Sequence, residues 1–365
     1  MYAHTRIPPL ALSFALSLTL GMASASAAYP EYRVTTVGPP NSTPTDINKA
    51  GAVVGTYPVN STDTHSFANF GRGVVYLGTM GGVSADAVAI NDSGQVLGNW
   101  RNASGQSRGY IYYQGRQRNI PAVPGRGFYY VDINNAGYIL ASGGRPEAEP
   151  LGLGPFGFLR SPDGKYRDIG TLPYENAVTQ VEALNNRNEF TGESGSFSRP
   201  EMPFYAFLWS RGAMRNLGSI GYTPNYGLAI NDRGQVSGYV ATETFREALA
   251  TIFSNGRVIR IDTRPASANL FRFSVGQAIN NHGHVVGSSD HLGAFVYRGK
   301  RMESLNTLVD PKSGWNIQFP RAINDAGQIA ASGIRGGMSY AVRLDLIRPH
   351  ALGAPRLDET EAAEQ

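Results

Sequence analysis

One pattern of apolar and polar positions recurs seven times along the chain. An apolar residue is followed by Asn, two variable residues, Gly and a short apolar stretch, as in Ile230-Asn231-Asp232-Arg233-Gly234. The asparagines of the seven motifs are Asn48, Asn91, Asn134, Asn185, Asn231, Asn280 and Asn324. The residues three positions later are Gly51, Gly94, Gly137, Asn188, Gly234, Gly283 and Gly327. Successive asparagines are 43, 43, 51, 46, 49 and 44 residues apart, a period that indicates a repeat architecture.

The motif has the chemistry of a tight turn. Asn is favoured at the first position of a type I turn because its side chain bonds the backbone two residues on, and Gly is favoured at the fourth. The one exception, Asn188, has the residue type that next best tolerates a positive φ. The motif therefore predicts a β-hairpin corner. A calcium loop would need several carboxylates, and only Asp92, Asp232 and Asp325 occur in the corners, so no metal site is predicted.

The rest of each unit predicts three further features. A small residue follows four positions after the corner glycine, which suggests close approach of another backbone; these residues are Gly55, Gly98, Ala141, Gly192, Gly238, Gly287 and Ala331. A continuous apolar strand such as 205–209 comes next and is typical of burial on both faces. A short turn and a mixed strand complete four strands, named a, b, c and d.

Four antiparallel strands per repeat predict an all-β, seven-bladed β-propeller, with a β-solenoid as the alternative. The last repeat lacks an evident strand d, whereas the segment 32–38 resembles a strand d with no a, b or c before it. We therefore expect the N-terminal strand to close the last blade.

The repeat units resemble HAF repeats, which occur in many exported bacterial proteins. The stretches that carry the resemblance are 230–238 (INDRGQVSG), 205–209 (YAFLW) and 212–218 (GAMRNLG), and the likeness extends over about residues 44–345. The chain departs from the pattern at the histidine that opens the His-Ala-Phe strand, because only the first repeat has it, as His65. The resemblance implies an exported repeat protein and implies no particular activity.

The composition of the chain predicts its cellular compartment and argues against a nucleic-acid partner. Residues 1–28 read as a signal peptide: Arg6, an apolar run over 7–22, and an Ala-x-Ala end. Residues 29–350 are expected to form one domain and 351–365 a disordered acidic tail. The mature chain is expected to be periplasmic or extracellular, without a membrane span. There is no cysteine, and the net charge of +4 comes without a basic block, which argues against a nucleic-acid partner. No cofactor is indicated, and we expect a monomer.

The connections between strands b and c and between strands d and a vary in length, whereas the corners do not. Because both kinds of connection emerge on one face of a propeller, that face is predicted to bind a glycan, a cell-wall polymer or a protein. The candidate ligand-binding residues are Tyr57, Trp100, Arg101, Arg145, Tyr174, Tyr222, Tyr226, Arg246 and Trp315. The alternative is a hydrolase or lyase, which would require Asp86, Glu175, Glu182 or Glu193 to point into the channel beside Arg or His.

Overall fold

The computed structural model describes residues 31–123, 127–144, 156–174, 177–196, 203–265 and 271–348. Within them the chain forms a seven-bladed propeller, and each blade is an antiparallel sheet whose strand a lies at the central channel. The predicted fold class is confirmed, and the solenoid alternative is wrong. The predicted signal peptide and acidic tail, together with Arg145 and Glu175, lie outside the described residues.

The strands follow the chain in blade order after β1 (Tyr32–Pro40). Blades 1 and 2 comprise β2 (Thr43–Ile47), β3 (Val53–Pro58), β4 (Thr64–Asn69), β5 (Val74–Gly78), β6 (Ser84–Ile90), β7 (Val96–Arg101), β8 (Ser107–Tyr113) and β9 (Arg116–Asn119). Blades 3 and 4 comprise β10 (Phe128–Ile133), β11 (Ile139–Gly143), β12 (Phe156–Arg160), β13 (Tyr166–Asp168), β14 (Val178–Leu184), β15 (Phe190–Gly195), β16 (Tyr205–Ser210) and β17 (Ala213–Asn216).

Blades 5 and 6 comprise β18 (Asn225–Ile230), β19 (Val236–Ala241), β20 (Glu247–Ser254), β21 (Arg257–Arg260), β22 (Arg272–Ile279), β23 (Val285–Ser289), β24 (Gly293–Arg298) and β25 (Arg301–Ser304). A short helix α1 (Leu305–Leu308) and a 3₁₀ turn (Pro311–Ser313) lead to blade 7, which contains β26 (Asn316–Ile323), β27 (Ile329–Arg335) and β28 (Met338–Leu346). Blades 5 and 6 are joined by a short parallel pairing of β20 with β22.

The N-terminal strand closes the ring, as predicted. Strand β1 pairs antiparallel with β28, with Tyr32 opposite Leu346 and Thr36 opposite Val342, and so serves as strand d of blade 7. The start and the end of the propeller are thereby held in one sheet. In a chain without cysteine this pairing does the work that a disulfide would otherwise do.

Each corner asparagine bonds its own turn and the next blade. In blade 1, Oδ1 of Asn48 accepts hydrogen bonds from the amides of Ala50 (3.1 Å) and Ala52 (2.9 Å), which confirms the predicted turn chemistry. Its Nδ2 donates to the carbonyl oxygen of Asn91 in blade 2 at 3.2 Å. The same inter-blade bond is repeated around the channel at 2.9–3.2 Å and ends with Asn324 donating to Asn48. We call these seven bonds the asparagine ring.

The residue after each corner asparagine forms a second, incomplete circle. The amide of Lys49 donates to Oδ1 of Asp92 at 2.9 Å, and Asp92 in turn donates its amide to Asn135 at 2.8 Å. The pattern continues through four more corners and stops at Asp325, since its neighbour Lys49 has no side-chain oxygen. The carboxylates of the corner aspartates therefore accept hydrogen bonds from backbone amides. No group of three or more His, Cys, Asp or Glu in the described part of the chain could hold a metal ion.

The small residue in strand b faces a carbonyl oxygen of its own strand a. A Cβ placed on Gly238 would lie 1.9 Å from the carbonyl oxygen of Tyr226, and one on Gly287 would lie 1.8 Å from that of Val275. The cause is a register shift in strand a of every blade, such as that between Gly227 and Ala229, which is the signature of a β-bulge. The predicted close approach of another backbone is confirmed. The backbone that lies close belongs to strand a of the same blade.

Apolar side chains fill every gap between neighbouring blades. The described residues contain seven buried clusters, one for each pair of adjacent blades. In β16, Phe207 and Trp209 pack toward blade 3, whereas Ala206 and Leu208 pack toward blade 5. This alternation explains the unbroken apolar sequence of strand c, because both of its faces are buried.

Two carboxyl groups link blades inside the lower channel, the end that carries the corners. Asp46 accepts from the amides of Ile47 (2.7 Å) and Ile90 (2.8 Å). Asp132 accepts in the same way from Ile133 (2.7 Å) and Leu184 (2.8 Å). Burial raises the pKa of Asp46 to about 6, and burial together with the charge of Asp46 raises the pKa of Asp132 to about 7. Both face a polar cavity of about 460 Å³.

The asparagine ring can be tested by removing one inter-blade donor. Asn231→Asp keeps the oxygen that folds the corner but replaces Nδ2, which donates to Asn280 at 2.9 Å. We expect the free energy of unfolding to fall by about 1–3 kcal/mol, because a buried carbonyl loses its donor. Asn102→Asp is the matched control, since Asn102 folds the same kind of turn on the surface without an inter-blade bond. Equal urea midpoints for the two variants would show that the inter-blade bond contributes nothing.

Asp132 is expected to make stability depend on pH. Its folded pKa lies above the unfolded value of about 4, so its stabilising effect is complete below pH 4 and is lost as pH rises through about 7. Asp132→Asn removes this titration and one of the two amide bonds. Urea unfolding should show the variant less stable than the wild type at pH 5, with the difference smaller by on the order of 2 kcal/mol at pH 8. A difference that stays constant from pH 5 to pH 8 would contradict the raised pKa.

Candidate functional site

The two faces of the propeller carry different connections. Strand a ends at the corner in every blade, so the corners and the c–d turns lie on one face, which we call the lower face. The b–c and d–a connections lie on the opposite, upper face. The upper face therefore carries the connections of variable length, and those that the structure describes in full range from two residues at 336–337 to eleven at 305–315.

Exposed apolar side chains concentrate on the upper face. The described residues include fifteen large hydrophobic side chains that are exposed to solvent. Ten belong to upper connections or to the upper halves of strands: Val59, Val83, Tyr129, Ile220, Phe245, Phe271, Phe273, Phe319, Ile334 and Met338. Phe271 is the most exposed of them at 63%. Large exposed apolar surfaces are typical of sites of interaction with another molecule.

At the upper end of the channel, acidic and aromatic side chains of blades 4 and 5 come together: Glu182, Glu193, Tyr226 and Tyr239. We call this group of residues the pocket. Glu193 of β15 stands opposite Gln180 of β14 in blade 4. At the equivalent place in blade 5, Tyr239 of β19 stands opposite Tyr226 of β18. The rings of Tyr226 and Tyr239 stack with centroids 4.7 Å apart. Glu182, at the bulge of β14, accepts a hydrogen bond from Nε2 of Gln180 at 2.9 Å.

Burial and like charge shape the titration of this pocket. Burial, followed by the charge of Glu182, raises the pKa of Glu193 to about 8. Burial also raises the pKa of Glu182. The pKa of Tyr226 is raised by burial and then by Glu193, and that of Tyr239 by burial and by its carboxyl and tyrosine neighbours. Glu193 therefore carries a proton at neutral pH.

The carboxyl groups named for the enzyme alternative do not form a catalytic set in the described residues. Glu182 and Glu193 come together, but their neighbours are tyrosines and no Arg or His acts on either pKa. Asp86 accepts a hydrogen bond from Thr64 at 2.6 Å and lies beside Tyr129. The condition that would favour a hydrolase or lyase, an acid paired with Arg or His, is thus not met by these three residues.

Three of the predicted binding residues are held in structural contacts. Trp315 is only 9% exposed and lies beneath the guanidinium of Arg335, at 4.5 Å from the ring centroid, so the expectation of an exposed ring is wrong there. Trp100 donates from Nε1 to Asn119 at 2.8 Å. Arg101 forms an ion pair of 3.0 Å with Asp63 of blade 1 and so bridges two blades.

The other predicted residues are scattered around the upper face. Tyr57 packs edge-on against His65 and Tyr76. The ring centroids of Tyr174 and Tyr205 are 5.9 Å apart. The hydroxyl of Tyr222 donates a hydrogen bond to Glu247 at 2.8 Å. Arg246 is exposed in the b–c connection of blade 5. Among the eight predicted residues that the structure describes, only Tyr226 lies in the pocket.

Tyr129 and Tyr239 were missed by sequence reasoning, although a signal existed for Tyr239. The residue that follows the small residue of strand b is Thr56, Asn99, Ser142, Glu193, Tyr239, Ser288 or Ser332 in the seven blades. Glu193 and Tyr239 stand out there as the charged and the aromatic member of a set that is otherwise small or polar. Alignment of the repeats position by position would have drawn attention to both.

No helix in the described residues is long and apolar enough to cross a membrane. No family model and no curated protein matches the chain.

Several solved structures share the fold. The β-propeller domain of the Trilobed protease from Pyrococcus furiosus matches with a TM-score of 0.54 at 9% identity, over 84% of this chain and 99% of that one. YCF48 bound to D1 peptide matches with a TM-score of 0.53 at 11% identity, over 89% and 99%. The Pyrococcus horikoshii acylaminoacyl peptidase matches with a TM-score of 0.55 at 12% identity, over 80% of this chain but only 49% of that one. At such identities the likeness establishes that the chain is a β-propeller.

Proposed function

We propose that the protein is an exported recognition module that binds an extended peptide segment of a partner protein on its upper face. The observation that carries the proposal is that ten of the fifteen exposed large hydrophobic side chains in the described residues lie on that face. Exposed aromatic and apolar side chains are typical anchors of protein recognition sites. Export rests on the predicted signal peptide and on the resemblance to HAF repeats.

A peptide suits this face better than a glycan. Sugars commonly stack on open aromatic rings, and of the two tryptophans that were candidates for this role, Trp315 is buried beneath Arg335 and Trp100 is half-buried. The exposed rings that remain are phenylalanines and tyrosines such as Phe271 and Phe319, which also suit apolar peptide side chains. The structure of YCF48 with D1 peptide gives an example of a propeller that was solved with a peptide bound.

The proposal can be tested by selecting ligands from a random 12-residue peptide library displayed on phage. Phe271→Ser/Phe319→Ser should weaken binding of the selected peptides by about tenfold or more, because two exposed aromatic anchors of the upper face are lost. Ile259→Ser removes a side chain of similar exposure, 43%, on an outer strand and should leave the Kd unchanged. The Kd is measured by fluorescence anisotropy.

Two results would overturn the proposal. One is a selection that yields no peptide with measurable affinity, and the other is a set of peptides whose affinity is the same for the double variant and for the wild type. Binding to a glycan array by the same preparation would in that case identify the upper face as a carbohydrate site.

A further inference from the structure

Glu193 is a buried acid with an unused oxygen. Its side chain is only 7% exposed, and its Oε2 has no hydrogen-bond partner in the described residues. The equivalent residue of blade 2, Asn99, is also buried, but it bonds the amide and the carbonyl oxygen of Tyr130 in the next blade at 2.9 Å each. Glu193 makes no such bridge to blade 5. A buried polar atom without a partner is destabilising, and it is tolerated most readily where a ligand supplies the partner.

The groups that face Glu193 are acidic or aromatic. Glu182 approaches it from blade 4, and Tyr226 and Tyr239 approach it from blade 5. Tyr129 of blade 3 lies beside Glu182 on the other side. No Lys, Arg or His among the described residues acts on the pKa of any of these five groups. The pocket therefore contains two carboxyl groups and the faces of tyrosine rings, with no cation of its own.

We propose, building on the proposed function, that this pocket holds a lysine or arginine side chain of the bound peptide, between the carboxyl groups of Glu182 and Glu193 and the rings of Tyr226 and Tyr239. An ammonium or guanidinium group supplies the donor that Oε2 of Glu193 lacks. Once Glu193 has lost its proton, the same cation also offsets the repulsion between the two carboxylates. The tyrosine rings add cation–π attraction, which is strongest where water is excluded.

Binding of a cation is coupled to release of a proton. Glu193 is protonated at neutral pH in the free protein, and a cation beside it favours the carboxylate. Glu193 therefore passes its proton to solvent as the peptide binds. The affinity rises with pH from 6 to about 8 and levels off above that, while the lysine or arginine of the ligand stays charged.

The experiment uses five peptides of the form Gly-Ser-Phe-X-Phe-Ser-Gly, in which X is Lys, Arg, norleucine, Nε-acetyl-lysine or Glu. We expect the Lys and Arg peptides to bind the wild type, and the three others to bind about 30-fold or more weakly, as for loss of a buried charge pair. Glu193→Gln is isosteric with the protonated acid and should fold as the wild type does, but it should lose this preference. Glu243→Gln removes one exposed charge from the same face and should keep it.

Calorimetry in two buffers of different ionisation enthalpy should show release of up to about one proton per Lys peptide at pH 7, and none with Glu193→Gln. If all five peptides bind equally, the cation pocket is wrong while peptide recognition stands. If none binds at millimolar concentration and library selection also fails, the proposed function falls with it. If Glu243→Gln weakens binding as much as Glu193→Gln does, the preference reflects the charge of the whole face, and the pocket is again wrong.

Discussion

The side-chain amide of the corner asparagine is the group on which the architecture depends. Its oxygen folds the hairpin of one blade, and its nitrogen reaches the backbone of the next, so a single residue type sets both the shape of the corner and the spacing of blades. Because seven such bonds return to the first blade, each blade is fixed at both of its neighbours. The apolar clusters between blades supply most of the buried surface, but they are less directional than hydrogen bonds and could tolerate small rotations.

The fold could be predicted because every level of the sequence agrees with it. Turn chemistry, the spacing of the repeats and the double-sided burial of strand c all indicate blades, and the unpaired segment at 32–38 indicates how the ring closes. The inter-blade role of Asn48 and its six equivalents could not be predicted, since it exists only when seven corners face each other across a channel. The same holds for the bulge in strand a, which displaces the backbone toward Gly238 and its equivalents.

The candidate site was harder to predict because exposure is decided by neighbouring blades. Trp315 occurs in a long upper connection, where an aromatic residue is expected to be free, yet Arg335 of β27 covers its ring. Tyr239 occurs inside a strand, where an aromatic residue is expected to be buried, yet it lies at the mouth of the channel beside Glu193. The residues that depart from the repeat therefore predicted the site better than the residues in its loops.

The two ends of the channel divide stability from recognition. At the lower end each acid and amide of the corners that the chain places near the axis finds a backbone partner, as Asp46, Asp132 and the asparagines show. At the upper end the chain leaves an oxygen of Glu193 without a partner, which costs stability, and leaves Phe271 in solvent. Since the lower end and the apolar clusters between blades hold the ring, the upper end is free to keep groups that are satisfied only by a ligand. Natural proteins break local rules mainly at functional sites, and Glu193 supplies the only carboxyl oxygen among the buried side-chain atoms without a partner in the described residues.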